Sequence, residues 1–215
     1  MHSLVSGFEF ILRGGFMMYP LLLSALISIC VIIERILIFK KRFQTTNAFR
    51  FKVFDAIKSG KLAEAEKLCS EIQTPVSSVI ATGIGHFNNP IDEMELSMKN
   101  AAEEWVPLLE KRVDIIDTVI TAAPLMGLLG TITGMMASFQ VLSEKGVNEP
   151  NAITGGVAEA LIATATGLVI ALFSLIAYNY LSAKIKVFIY DLEAVASRLV
   201  EIRMSAERGS TRLGK

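Results

Sequence analysis

Three long apolar stretches without Asp, Glu, Lys or Arg constrain this chain more than any other feature. They cover residues 16–33, 118–142 and 160–182. A helix needs roughly 20 residues to cross the hydrocarbon core of a bilayer, so each stretch predicts a membrane-spanning helix. Hydrophobic residues make up 52% of the chain, above the average for soluble domains, and these stretches hold most of the excess. The sequence therefore predicts an all-α membrane protein with three transmembrane helices.

Basic residues flank all three stretches, and with three spans these flanks fall on one side of the membrane. They are Lys40, Lys41, Arg42, Lys111, Arg112, Lys184 and Lys186. Because Lys and Arg are enriched on the cytoplasmic side, the N-terminus is predicted outside and the C-terminus inside. The predicted organisation is a periplasmic segment 1–15, transmembrane helix 16–39, cytoplasmic helical domain 40–113, transmembrane helix 114–142, periplasmic loop 143–151, transmembrane helix 152–183, and cytoplasmic helix and tail 184–215.

The segment between the first two spans is too long for a simple connection, so it predicts a cytoplasmic domain. Apolar residues recur at helical spacing in 61–73, at Leu62, Ala65, Leu68 and Cys69. Residues 91–117 are expected to run into the second span as one helix. Long helical extensions are thus predicted on the cytoplasmic side, and the polar end of the chain, 205–215, is expected to be disordered.

The second span carries small residues on one helix face, at intervals of three and four residues. They are Gly127, Gly130, Gly134 and Ser138. Such a face lets another helix backbone approach closely. Thr131 lies beside it, where its hydroxyl is available to a neighbour or to its own backbone. For Thr133 we prefer the second interpretation, a bond to a carbonyl of its own helix.

Glu159 is the only acidic residue between 150 and 183. An ionisable group at a membrane segment is costly unless it meets water, a partner or a proton, so Glu159 is a functional candidate. The alternative is a carboxylate that stabilises the start of the third helix at the external headgroups, and both interpretations stay open. Thr166 returns to nearly the same face as Glu159, whereas Thr164 and Gly167 belong to a neighbouring face of small residues.

Other residue types give little indication of chemistry. No phosphate-binding loop, catalytic motif or metal-ligand spacing is found, so neither an enzyme nor a cofactor is predicted. The formal net charge is zero, which gives no reason to expect a nucleic-acid partner. For Glu34 and Arg35 we prefer anchoring at the membrane interface, with the arginine snorkelling outward, over a buried relay. Cys30 and Cys69 are not expected to form a disulfide.

Three segments together resemble the MotA/TolQ/ExbB proton-channel family, in particular its ExbB and TolQ members. They are GGFMMYPLLLSALISICVIIER at 14–35, LEKR at 109–112 leading into APLMGLLGTITGMMASF, and GGVAEALIATATGL at 155–168. The resemblance implies a homo-oligomeric ring, usually of five copies, around a pore. It also implies a channel and stator subunit of a motor in the bacterial inner membrane, driven by the proton-motive force.

The resemblance also implies partners and site residues. The pore would hold single-span helices of an ExbD/TolR-type partner that carries the titrating aspartate, and a TonB/TolA-type transducer would receive the work. The family's pore threonines fall on Thr131 and Thr164, and its third-span acid falls on Glu159. Thr166 is retained as a candidate because the helical phase alone would pair it with Glu159.

One alternative to the motor stays open, and so does the choice between two kinds of motor. A non-conducting oligomeric scaffold would use the same glycine face, and a TolQ-type role in the cell envelope or division competes with ExbB-type, TonB-dependent uptake. The spans supply hydroxyls but no carboxylate at the middle of any span. A proton pathway would therefore be incomplete without a partner's acid.

Overall fold

The structure, a computed structural model, describes residues 15–42, 47–72, 74–145 and 150–213. All regular structure within these residues is helical. Apart from Gly15, the predicted segment 1–15 lies outside the described residues, as do residues 146–149 of the predicted loop. The helices are α1 (Met18–Arg42), α2 (Asn47–Lys58), α3 (Leu62–Glu71), α4 (Pro75–Gly85), α5 (Ile91–Glu103), α6 (Val106–Glu110), α7 (Val113–Lys145) and α8 (Pro150–Leu213).

Three of the described helices are long and apolar enough to cross a membrane. Their candidate spans are Met18–Lys40, Val113–Glu144 and Thr154–Arg208. Only 22%, 28% and 28% of the most apolar window in each span is buried inside the protein, so most of their apolar side chains face outward. An all-helical membrane protein accounts for this pattern, because lipid replaces water around those side chains.

The chain divides into two compact units. The first, called here the span unit, consists of Met1–Arg35 and Arg112–Leu181. One of its apolar clusters joins the start of α1 to α7 and α8 through Met18, Leu21, Val119, Ala123, Ala163 and Ala171. A second cluster joins the same helices through Val31, Ile116 and Leu181. Three-way packing of this kind fixes which faces of the helices are left outside.

A buried pair of hydroxyls adds a polar contact to the span unit. Ser28 of α1 and Ser174 of α8 lie 2.8 Å apart, Oγ to Oγ, and both side chains are buried. A hydroxyl in an apolar surrounding is stabilised when it finds a partner on a neighbouring helix, typically by about 1 kcal/mol. The pair therefore fixes the rotation of α1 against α8.

The second unit, called here the polar unit, consists of Ile36–Lys111 and Ser182–Lys215. Its helix α3 buries Ala65 and Cys69, which confirms the apolar stripe predicted for 61–73. Burial raises the pKa of the Cys69 thiol to about 11, and nearby Glu66 adds to the rise. The thiol is therefore protonated at neutral pH and a poor nucleophile.

Three arginines connect α8 with other parts of the polar unit. Arg50 donates two hydrogen bonds to Asp191, and this bidentate contact raises the pKa of Arg50 above its usual value. The guanidinium of Arg198 lies 5.3 Å from the ring centre of Phe54. Arg203 Nε donates to the Phe87 carbonyl at 2.5 Å. These contacts hold the end of α8 against several elements of its own unit.

The helix expected over 91–117 is interrupted, so this prediction is wrong. The chain instead forms α5 and α6 and begins α7 at Val113. Pro107 has no N–H to give to a preceding carbonyl, and Arg112 adopts φ 63°, a left-handed conformation that ends a helix. The apolar periodicity continues across these residues, which is why sequence alone favoured one helix.

The prediction of disorder at 205–215 is also wrong for the described part, since α8 stays helical to Leu213. Arg203 and Glu207, four residues apart, form an ion pair of 2.8 Å. The Ser205 hydroxyl donates to the Glu201 carbonyl at 2.8 Å. Contacts at this spacing stabilise a helix even where its residues are polar.

Gly83→Ala tests the packing of the polar unit. A methyl group there would lie 2.5 Å from Met98 Sδ and overlap Leu199, and both side chains are fully buried. We expect the free energy of unfolding to fall by about 1–3 kcal/mol, as for overpacked cores. Gly85→Ala is the control, because nothing lies within 4 Å of its added methyl. Equal unfolding midpoints for the two variants in detergent would contradict this packing.

Candidate functional site

The small face of the second span packs against the third span of the same chain. A Cβ atom built at Gly127 would lie 3.0 Å from Thr164 Cα, one at Gly130 2.7 Å from Ala163 Cβ, and one at Gly134 2.9 Å from Ala160 Cβ. None of these positions has room for a side chain without movement. The glycine spacing predicts that another helix backbone approaches this face closely. In the structure that backbone belongs to α8.

Three further small residues extend this contact toward both ends. A Cβ atom at Gly167 would lie 2.5 Å from the Ala123 carbonyl oxygen. Ser138 lies against Gly156, and its hydroxyl donates to the Gly134 carbonyl at 3.0 Å. Small residues therefore line the contact on both helices, which is the condition for close helix packing in lipid.

The close approach brings the hydroxyls of Thr131 and Thr164 together. The two Oγ1 atoms hydrogen-bond to each other across the contact between α7 and α8. Thr164 Oγ1 also donates to the Gly127 carbonyl at 2.9 Å. Thr131 Oγ1 lies 3.3 Å from the Ala160 carbonyl and 3.4 Å from the Gly127 carbonyl. Both threonines are half-buried.

The partners of this pair determine what it can offer to a third group. Each hydroxyl has one hydrogen, and carbonyl oxygens only accept. Whichever threonine donates to the other, the second hydrogen goes to a carbonyl of the same chain. The lone pairs that remain are acceptors. The pair therefore suits a hydrogen-bond donor, such as water or a protonated carboxylic acid.

The two other threonines bond within their own helices. Thr133 Oγ1 donates to the carbonyls of Leu129 and Gly130 at 3.0 and 3.1 Å, which confirms the interpretation preferred from the sequence. Thr166 Oγ1 donates to the Ile162 carbonyl at 2.8 Å. Neither hydroxyl takes part in the contact between Thr131 and Thr164.

Glu159 is brought to the entrance of the first span. Its half-buried carboxyl group lies against Gly15, where a Cβ atom would be 2.6 Å from Glu159 Cδ and would overlap Oε1. The hydrogen bonds described for the threonine pair do not include Glu159. This contact was missed from the sequence, although a glycine directly before an apolar span is a signal that close approach is possible.

A charged cluster joins the ends of the first and second spans. Glu34 accepts from Arg112 Nη1 at 2.5 Å and from Arg35 Nη2 at 3.2 Å. Arg35 is only 3% exposed, so the prediction that it snorkels outward is wrong. The physical reason is the carboxylate between two guanidinium groups, which compensates the charge that burial would leave without solvent.

Comparison with known proteins adds to this geometry. The model of the MotA/TolQ/ExbB proton channel family matches residues 70–194, more than half of the chain. The chain belongs to this family. The matched range contains Thr131, Glu159 and Thr164, and the resemblance drawn from the sequence is confirmed.

Individual family members are similar to this chain, two of them over most of its length and one over a shorter part. A putative biopolymer transport protein ExbB-like 3 of Synechocystis sp. is 31% identical over 170 residues, covering 78% of this chain and 81% of that protein. The Tol-Pal system protein TolQ of Haemophilus influenzae is 29% identical over 178 residues, 78% of each. The biopolymer transport protein ExbB of Aquifex aeolicus is 45% identical over 87 residues, 40% of this chain and 59% of that protein.

Membership in this family indicates the general function of the chain. The family is a proton channel family associated with the inner membrane, and its ExbB and TolQ members energise envelope processes. The similarity extends to both kinds of member, so it does not separate them.

Gly167→Ala tests the close contact of α7 with α8. The added methyl would meet the Ala123 carbonyl oxygen at 2.5 Å and Gly127 Cα at 3.3 Å, both backbone atoms that side-chain rotation cannot move. We expect a loss of about 1–3 kcal/mol in stability. Gly155→Ala, in the same helix but with nothing within 4 Å, should be neutral or slightly stabilising. Thermal unfolding in detergent compares the two, and indistinguishable midpoints would count against the contact.

Proposed function

We propose that this chain is the channel and stator subunit of an inner-membrane motor driven by the proton-motive force, which energises an envelope process. The observation that carries the proposal is the hydroxyl pair Thr131–Thr164 between two membrane-capable helices of a proton channel family member. Both side chains are half-buried, and their hydroxyl oxygens can still accept hydrogen bonds. The lining of a pathway for protonated groups requires such acceptors.

The pathway needs a second component. A charge at the middle of a bilayer costs several kcal/mol, so a proton crosses on a titrating group or on water. The three candidate spans carry no carboxylate at their middle. An ExbD/TolR-type single-span partner would supply the acid as an aspartate, whose protonated form donates to the threonine pair. A TonB/TolA-type transducer would then receive the motion.

The assembly proposed is a homo-oligomeric ring, five copies by the family resemblance. Large apolar side chains on the spans are left exposed in a single protomer, among them Leu125, Met136, Phe139, Leu172 and Phe173. Neighbouring copies, the partner's helix and lipid would cover different parts of this surface.

The alternative proposal is a non-conducting oligomeric scaffold. It is favoured by the fact that both threonine hydrogens are already engaged inside the chain. Between the two motor types, relatives of ExbB and of TolQ kind support ExbB-type uptake and a TolQ-type envelope role equally. Complementation of strains that lack one system or the other would separate these roles.

Thr131→Val and Thr164→Val test the hydroxyl pathway. Valine keeps the side-chain shape but removes the acceptor, so a protonated acid in the pore loses a bond worth roughly 1–3 kcal/mol. We expect gradient-driven proton uptake by the complex with the partner to fall sharply, while co-purification of the partner is unchanged.

Thr133→Val and Thr166→Val are the matched controls, since both hydroxyls bond to their own helices. They should keep most of the uptake. Full uptake in both Thr131→Val and Thr164→Val would overturn the hydroxyl-lined pathway. A loss confined to Thr166→Val would mean that the face of Glu159 lines the pathway instead.

The proposed orientation places 40–113 in the cytoplasm and 143–151 outside, as the basic flanks predict. Single cysteines at Ser59 and Glu144, in a background with Cys30→Ser and Cys69→Ser, would be exposed to a thiol reagent that does not cross the inner membrane. We expect labelling at position 144 and none at position 59 in intact spheroplasts. The reverse pattern would invert the topology.

A further inference from the structure

At the entrance to the first span, both the backbone conformation and the neighbouring side chain require a glycine at position 15. Gly15 adopts φ +72°, in the left-handed region, and lies three residues before the first residue of α1. The space of its missing side chain is filled by Glu159, whose Cγ would be 3.0 Å and whose Cδ would be 2.6 Å from a Cβ atom there. The carboxyl group and the backbone of Gly15 are therefore in direct contact.

Neither backbone is free to move away from this contact. Beside Gly15, Met17 Cβ would lie 3.3 Å from a Cβ atom at Gly130, and Met18 is buried in the apolar cluster with Leu21. Beside Glu159, Ala160 packs against Gly134 at the closest part of the α7–α8 contact. A side chain added at Gly15 would consequently displace the Glu159 carboxyl group rather than either helix.

We propose that Gly15 is a positioning residue for Glu159: the entrance to α1 closes one side of the carboxyl group and fixes its position nine residues after the start of α8. The inference rests on the proposed function for its consequence, since Glu159 is the third-span acid that the family resemblance adds to the candidate pathway, beside the partner's aspartate. The contact itself is independent of that function. Glu159 is held by the first span, whereas Thr131 and Thr164 are held by the second and third.

The contact is tested by a double-mutant cycle on thermal unfolding of the full chain in detergent. Gly15→Ala adds both a strained φ and a clash with Glu159. Gly60→Ala adds only the strain, because Gly60 has φ +75° and nothing within 4 Å. We expect Gly15→Ala to lower the melting temperature clearly more than Gly60→Ala. In a Glu159→Ala background this excess should disappear, because the clashing atoms are gone. An excess of the same size in both backgrounds would overturn the contact.

Positioning is tested by proton uptake in the complex with the partner. Gly15→Ala should reduce uptake several-fold with partner capture intact, while Gly60→Ala and Gly155→Ala should not. Combining Gly15→Ala with Glu159→Asp, whose shorter side chain removes the Cδ and Oε1 atoms that the methyl would overlap, should recover uptake toward that of Glu159→Asp alone. A purely structural role of Gly15 predicts no such rescue.

The outcomes separate the two proposals. A wild-type complex that takes up no protons contradicts the proposed function, and the stability cycle alone then decides the contact. An active wild type together with a Gly15→Ala variant as active as Gly60→Ala overturns the positioning role and leaves the proposed function standing.

Discussion

The contact between α7 and α8 is the interaction on which the rest of the span unit depends. Helix association within lipid gains little from the hydrophobic effect and depends on close packing and polar contacts. Side chains are absent where the helices meet, at Gly127, Gly130, Gly134 and Gly167, so backbone atoms come within van der Waals distance. This approach allows two threonine hydroxyls on different helices to share a hydrogen bond. A larger residue on either face would separate them.

Polar groups in the span unit are arranged so that helices satisfy one another. Ser28 pairs with Ser174, Thr131 with Thr164, and Glu34 with two arginines. The Ser28–Ser174 pairing offsets the cost of keeping two hydroxyls away from water, and both hydroxyl pairings fix the rotation of one helix against another. Fixed helices hold the acceptor oxygens of Thr131 and Thr164 in place, as the proton pathway proposed above requires.

The polar unit achieves order by different means. Its arginines form bidentate, carbonyl and aromatic contacts with α8, through Arg50, Arg203 and Arg198 respectively. Charge-assisted hydrogen bonds such as those of Arg50 and Arg203 are stronger than neutral ones. The spans hold few charged residues, so apart from the Glu34 cluster the span unit relies on small residues and hydroxyls. The two units are thus stabilised by different kinds of contact.

Sequence by itself determined the three spans, the apolar stripe of α3, the small-residue face and the own-helix bond of Thr133. All of these depend on the absence of charge or on neighbours three and four residues apart, which helical periodicity shows directly. Only the tertiary structure decided that α8 of the same chain meets the glycine face. It also decided that Thr164 rather than Thr166 meets Thr131, that Arg35 is buried, and that Glu159 lies against Gly15. Contacts between helices join residues that are far apart in the chain, such as Ser28 and Ser174, 146 positions apart. Their geometry follows from how the helices pack, and no local sequence pattern contains that information.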